Sequence, residues 1–270
     1  RYYWLVYGKQ NTFRVEIRQN NAIKTYTLPA VNLINDFEKK RTEVLNANMQ
    51  LKFLEAGAYL NPGHFSGNET KYQQFIDSAF TEINRQRSQH LIIDLRNNSG
   101  GNDAFSDYLV SYIANIPFQW NSRFSIKASK LLKAHTIAHS DTTAHFFKKI
   151  LAADDNEIFD YHFENLPPKH KNIRFKGKVF VLINRQTHSQ AAITAAQIQD
   201  YNFGHIVGEE TGEYPSLFAS QFQYALPNTG VLVKIAKAQI IRINGSDKQE
   251  GVQPDIRIRD HLLDEEDEIL

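Results

Sequence analysis

The chain has 270 residues, with 31 lysines and arginines against 30 aspartates and glutamates, and no cysteine. The balanced charge leaves no electrostatic footprint for nucleic acid, and the missing thiols exclude disulfides and thiolate metal sites. No apolar run is long enough to cross a bilayer and no signal peptide is visible; the chain opens on Arg1 rather than Met, as expected of a mature or trimmed piece of a longer protein.

Phe13, Val15 and Ile17 alternate with Arg14, Glu16 and Arg18, the period-two pattern of a half-buried strand. Gln19-Asn20-Asn21 is a turn signal, Ile23 to Leu28 returns as a hairpin partner, and Pro29 ends it. Asn32 to Asn48 is polar and charge-rich, a linker or exposed helix. Residues 1–48 are therefore expected to form a small strand-rich appendage, and residues 49–270 the core. Leu51 to Leu60 reads as one strand, followed by the turn Asn61-Pro62-Gly63. Tyr72, Phe75, Ile76, Ala79, Phe80 and Ile83 have helical spacing, as do Phe105, Tyr108, Leu109, Tyr112 and Ile113. Pro117 to Lys176 lacks clean periodicity and is expected to be an irregular wall or lid. Lys178 to Ile183 is a strand leading to the Ala-rich helix Gln190 to Tyr201. The last sixty residues are mainly strand-like, as in Val231-Leu232-Val233 and Ile240 to Ile243.

Two strand ends carry the chemistry. Leu91-Ile92-Ile93 runs directly into Asp94-Leu95-Arg96-Asn97-Asn98-Ser99-Gly100-Gly101. Paired glycines let a backbone turn without a Cβ clash and bring its N–H groups close to a ligand. Asn184-Arg185-Gln186-Thr187-His188-Ser189 joins the later strand to its helix. A serine at a strand-to-helix turn beside a glycine backbone supplies two parts of an acyl-transfer site. The ordinary reading of such a serine is a helix N-cap, and of the glycines a tight turn.

These segments resemble the tail-specific (C-terminal-processing) serine peptidases, whose relatives include the tricorn-protease core and the interphotoreceptor retinoid-binding protein repeats. The likeness runs through DLRxNxGG, the TxS that opens an Ala-rich helix, Gln199-Asp200, Gly208-Glu209-Glu210-Thr211-Gly212 and Gly251-Val252-Gln253-Pro254-Asp255-Ile256, in family order from about Ala56 to Ile258. It implies an α/β fold with a crotonase-like ββα spiral core, and the trailing edge of a PDZ-like module in the N-terminal appendage. It implies Ser189 as nucleophile, the amides of Gly100 or Gly101 and of Gln190 as an oxyanion hole, and a polypeptide substrate. It also implies no metal or organic cofactor, and a periplasmic or envelope-associated place in a bacterium.

The chain departs from the family at the general base. The lysine of the Ser-Lys enzymes, twenty-five residues after the nucleophile, is here Tyr214, and the glutamate three residues after the serine is Ala192. A tyrosine is a poor base near pH 7 because its phenolate is scarce. Tricorn-like relatives use a Ser-His pair upstream of the PDZ-like module, and nothing in this chain matches it. The base is therefore expected outside the chain. His64, after the first core strand, and His188, beside Ser189, are the substitutes within it, each with a turn or surface histidine as the ordinary reading. Asp247 and Glu250, near the tricorn-like carboxylate position, match it only with a gap. Asp255 reads as a structural turn residue. His135 and His139 are four apart and would share a metal on a helix with Asp141 as third ligand; the ordinary reading is a solvated polar surface. Two other functions suit the same fold: a silent module that binds peptides or an apolar ligand, and acyl-CoA chemistry. The second lacks a basic loop for the CoA phosphates.

Overall fold

The computed structural model describes residues 6–30, 46–261 and 264–270. The chain divides into two compact units, Arg1–Arg41 with His261–Asp267, and Thr42–Asp260 with Glu268–Leu270. In the first, β1 (Thr12–Gln19) and β2 (Ala22–Pro29) pair antiparallel in full register from Thr12 with Pro29 to Gln19 with Ala22. Asn20 and Asn21 both take positive φ, 49° and 63°, which is what a two-residue hairpin turn demands. Most of the linker read at Asn32–Asn48 lies outside the described residues.

The second unit is mixed α/β, as expected. Its main sheet has six strands in the order β12-β9-β8-β5-β4-β3, formed by β3 (Gln50–Leu54), β4 (Gly57–Asn61), β5 (His90–Asp94), β8 (Lys178–Ile183), β9 (His205–Gly208) and β12 (Ile256–Arg257). β3 and β4 are antiparallel; β4, β5, β8, β9 and β12 run parallel. The single strand read over Leu51–Leu60 is thus a hairpin, bent at Glu55-Ala56 ahead of Gly57, whose φ is +141°.

β5 and β8 are apolar on both faces because both faces are covered. Leu91, Ile93, Val181 and Ile183 enter one core with Tyr72, Ile76, Phe80 and Ile83 of α1 (Glu69–Arg85), Leu109 of α2 (Asp103–Ser111) and Ala191 and Ala195 of α5 (Gln190–Asp200). Ile92 and Leu182 enter a smaller core with Tyr59, Val207 and Ile269. The α1 periodicity holds because one face is apolar and Asn68 caps it, its side chain accepting from the Lys71 amide.

The segment read as irregular, 117–176, is ordered. It contains β6 (Arg123–Lys127), α3 (Lys130–His139), α4 (His145–Ala152) and β7 (Ile158–Asp160). β6 and β7 join β10 (Leu217–Ala225) and β11 (Leu232–Ile241) in a four-stranded antiparallel sheet of order β10-β11-β6-β7. Trp120, Phe124, Ile126, Leu132 and Ile150 pack there with Phe222, Ile240 and Ile193 of α5. Elements of three to ten residues are too short to show a period, and their apolar positions are matched to another sheet.

Candidate functional site

β4, β5 and β8 lie side by side and parallel, so their C-terminal loops emerge at one edge, where open parallel sheets bind ligands. The Leu95 amide extends the ladder to Leu182 O at 2.9 Å. Asp94 is consumed just below this edge. Its carboxylate accepts from Tyr59 Oη at 2.7 Å and pairs with Arg96 Nη2 at 2.8 Å, both side chains of the ion pair almost fully buried. Burial, then the neighbouring carboxylate, hold the Tyr59 hydroxyl well above its ordinary pKa, so it remains a donor. The Asp-Leu-Arg run is an anchor for the strand end.

Asn98 is fully buried and ties three loops together. Its Nδ2 donates to Gly63 O at 2.8 Å, its Oδ1 accepts from the Gly100 amide at 2.9 Å, and its carbonyl accepts from the His188 amide at 2.9 Å. The sequence by itself assigns this residue no role. The available signal was an amide side chain between a strand end and a glycine pair, a place where side chains bond nearby backbone. Thr187 adds a second tie: its Oγ1 donates to Leu95 O at 2.9 Å and accepts from the Asn184 amide at 3.0 Å.

Ser189 stands at the N-cap position of α5 with φ 49° and ψ −127°, and its side chain makes no capping bond. The ordinary N-cap reading therefore fails. A serine at positive φ costs on the order of 1–3 kcal/mol and persists only where its surroundings over-determine it. Here Glu213 does so, its carboxylate accepting from the Ser189 amide at 2.6 Å. A carboxylate at this place also favours the positive end of the α5 dipole. The Gly212 amide holds the same loop to Thr187 O at 3.1 Å. Glu213 was missed from sequence because it lies 24 residues beyond the serine it fixes.

The glycine pair meets this turn. A Cβ on Gly100 (φ +85°) would stand 2.6 Å from Gln190 N and 2.7 Å from Ser189 Cβ; one on Gly101 (φ +142°) would stand 1.9 Å from Phe65 O. Only glycine permits either approach. The Gly100 amide is committed to Asn98 Oδ1, which removes it from the expected set of oxyanion donors. Among the described residues the Gly101 and Gln190 amides have no acceptor. The Gln190 side chain is turned inward, donating to Ser106 Oγ at 2.9 Å and fastening α5 to α2.

His64 Nδ1 accepts from the Ser99 amide at 3.2 Å, so this ring nitrogen is already used as an acceptor. The His188 ring lies against Gly212, where an added Cβ would meet its Cε1 at 2.6 Å. Tyr214 is exposed, Ala192 is buried inside α5, and Glu250 pairs with Lys248 at 3.7 Å on the surface. Asp255 accepts from the Ile206 amide at 2.8 Å and from Gln199 Nε2 at 2.9 Å. Among the described residues none hydrogen-bonds Ser189 Oγ. The His135 and His139 rings are 4.7 Å apart on α3, with His135 against Phe222, and desolvation, then the nearby His139, hold His135 below its usual pKa. Asp141 instead accepts from Thr143, and no group of three or more metal-ligating side chains occurs among the described residues.

The profile described as peptidase family S41 matches residues 57–258. No curated protein sequence matches the chain. Among solved structures, mature CPAF complexed with lactacystin is similar at 16% identity and TM-score 0.54, over 92% of this chain and 63% of that one. A candidate peptidase from Parabacteroides merdae ATCC 43184 is similar at 19% identity and TM-score 0.53, over 84% of this chain and 60% of that one. These likenesses show a shared fold, and the chain spans less than two thirds of the length of either structure. The profile match runs from β4 to the end of β12 and takes in both strand ends described above, and on that ground the chain belongs to peptidase family S41.

Proposed function

We propose that this chain is the nucleophile-bearing core of a serine peptidase that hydrolyses flexible polypeptides through an acyl-enzyme on Ser189. The observation that carries the reading is the meeting of the Gly100 backbone with the strained Ser189 turn and the Gln190 amide. Ser189 Oγ attacks the scissile carbonyl carbon while a base takes its proton. The carbonyl π electrons move to oxygen, which the Gln190 and Gly101 amides receive at a helix N-terminus. Collapse breaks the C–N bond, the leaving amine takes the proton from the base, and water then hydrolyses the ester. Glu213 and Asn98 are positioning residues: one fixes the serine backbone and the other the glycine loop.

The base in this reading comes from residues beyond this sequence. Supporting it are the Ser189 hydroxyl, which has no partner among the described residues, the exposed Tyr214 at the lysine position, and the engagement of His64 with Ser99. General-base assistance is worth about 10²–10⁴-fold, so residues 1–270 alone should react slowly. The test is modification by a fluorophosphonate, compared between the full-length protein and residues 1–270, with Ser189→Ala as control. Fast labelling of Ser189 in the full-length protein and labelling about 10²–10⁴-fold slower in the core is expected. No labelling of the full-length protein would leave a silent peptide-binding module. Equally fast labelling of the core, lost in His64→Ala, would place the base inside this chain.

A further inference from the structure

Beside α2 lies a cavity of about 710 Å³, within the range of small-ligand sites. One side is a single face of α2 carrying Asp103, Asp107 and Tyr108; the other is the segment 163–170 with Trp120. α2 begins two residues after Gly101, so Asp103 lies within about 11 Å of Gly100, three Cα steps of ~3.8 Å. Asp107 is fixed from behind by α5, the helix that Ser189 opens, with Gln197 Nε2 donating to its Oδ1 at 3.3 Å. α2 therefore lines the cavity while two side-chain bonds, Gln190 to Ser106 and Gln197 to Asp107, fasten it to the helix that Ser189 opens.

The cavity is apolar with a deficit of positive charge at its wall. Trp120, Phe163, Leu166 and Pro167 supply apolar surface. Asp107 is 7% exposed, and apart from that one long contact no donor reaches its carboxylate among the described residues. Asp103 stands one turn before it and Glu164 on the facing segment. The cations of that segment do not neutralise them. Lys169 Nζ sits over the Tyr108 ring, 3.8 Å from its centroid, and makes no ion pair among the described residues; His170 Nδ1 accepts from the Asn172 amide. Burial, with the Asp103 charge adding to it and Gln197 opposing it, pushes the Asp107 carboxyl up to about 7. A buried carboxylate is expensive unless paired, and an entering cation would supply the pair.

We infer that this cavity receives a lysine or arginine side chain of the polypeptide substrate, its alkyl stem against Trp120 and Phe163 and its charged head at Asp107. Such side chains suit the site because they combine an apolar stem with a cationic tip. The inference rests on the peptidase reading for the identity of its ligand, and its test does not use catalysis. Binding to full-length protein carrying Ser189→Ala is read by fluorescence anisotropy, with peptides identical except for lysine, arginine, norleucine or glutamate at one scanned position.

At pH 8, lysine or arginine at one position should bind about tenfold or more tighter than norleucine. The preference should shrink several-fold at pH 6, where the Asp107 carboxyl is mostly protonated. The charged groups that line the cavity with Asp107 are Asp103 on its own helix and Glu164, Lys169 and His170 on the other wall, while α5 contributes the neutral Gln197. The pH series is therefore repeated in His170→Gln, since a charged imidazole would weaken cation binding in the same direction. Asp107→Asn should bring lysine and norleucine peptides to within about twofold, and Asp103→Asn should narrow the gap several-fold. Equal binding of lysine and norleucine peptides at every position, or a preference that persists in both folded variants, would overturn the inference. Fluorophosphonate labelling of Ser189 reports the peptidase reading independently of either result.

Discussion

Around Ser189, Asn98, Thr187 and Glu213 place their hydrogen bonds at 2.6–3.0 Å, whereas the buried carboxylate of Asp107 in the neighbouring cavity has, among the described residues, one contact at 3.3 Å. The first region is closed upon itself: its loops are satisfied by one another, leaving the Ser189 hydroxyl and the Gly101 and Gln190 amides without partners among the described residues. The second is unfinished, with apolar walls and a carboxylate held uncomfortably out of water. On the two readings proposed above, the contrast is that of preorganised donors for a developing charge against a pocket whose charge is matched by what enters it.

The strongest way to break the first region is Gly100→Ala. The new Cβ would collide with Gln190 N and Ser189 Cβ at a backbone conformation unsuited to alanine. Displacing an oxyanion donor costs about 10²–10³-fold in rate, so if the proposed peptidase reading holds, peptide cleavage by a form of the protein that carries the base should fall by that factor. Wild-type activity in this variant would mean that Gly100 does not position the turn.

Asp107→Asn probes the second region through stability. Burial pushes the Asp107 carboxyl from its ordinary 3.8 up to about 7 in the folded protein, so the folded state binds more protons between those values. Stability contributed by this group is fully present below about pH 4 and is lost as pH rises through about 7. Asparagine keeps an oxygen for Gln197 and carries no charge. The variant should match wild type near pH 4 and exceed it at pH 8 by on the order of 1–4 kcal/mol, at about 1.36 kcal/mol per pH unit. Urea unfolding at the two pH values measures it, and an unchanged difference between them would show that Asp107 is not held neutral by burial.

Glu213→Gln is the mildest and the most selective change. Glutamine can still accept the Ser189 N–H but lacks the charge that strengthens the bond. The loss should be about 1 kcal/mol, or roughly fivefold in the rate of fluorophosphonate modification, with little change in stability. A loss as large as that of Ser189→Ala would give the Glu213 carboxylate a role in proton transfer.

Much of this was written locally in the chain. The glycine pair after Leu91-Ile92-Ile93 and the serine after Lys178–Ile183 were legible because a strand end, a turn and a helix start are set by consecutive residues. The α1 and α2 helices were legible because their apolar positions repeat at helical spacing, and α5 from its run of alanines. The 117–176 segment was not, since its short strands and helices have their partners in β10 and β11 and its apolar residues follow that sheet. The β3–β4 hairpin was read as one strand because Glu55-Ala56 carries no turn residue, and only Gly57 marks the bend.

By itself the sequence determined the α/β class, the two strand ends and the family to which they belong, all carried by short runs whose chemistry is local. Tertiary structure alone decided that the ends meet. β5 and β8 are neighbours although the bond from Thr187 to Leu95 joins residues 92 apart. It also committed the Gly100 amide to Asn98, brought Glu213 to the serine backbone and left Asp107 on the wall of a cavity. Those outcomes depend on which strands pair and which helix faces close on each other, and such pairings are settled by burying the whole apolar surface at once, a property no short stretch of sequence contains.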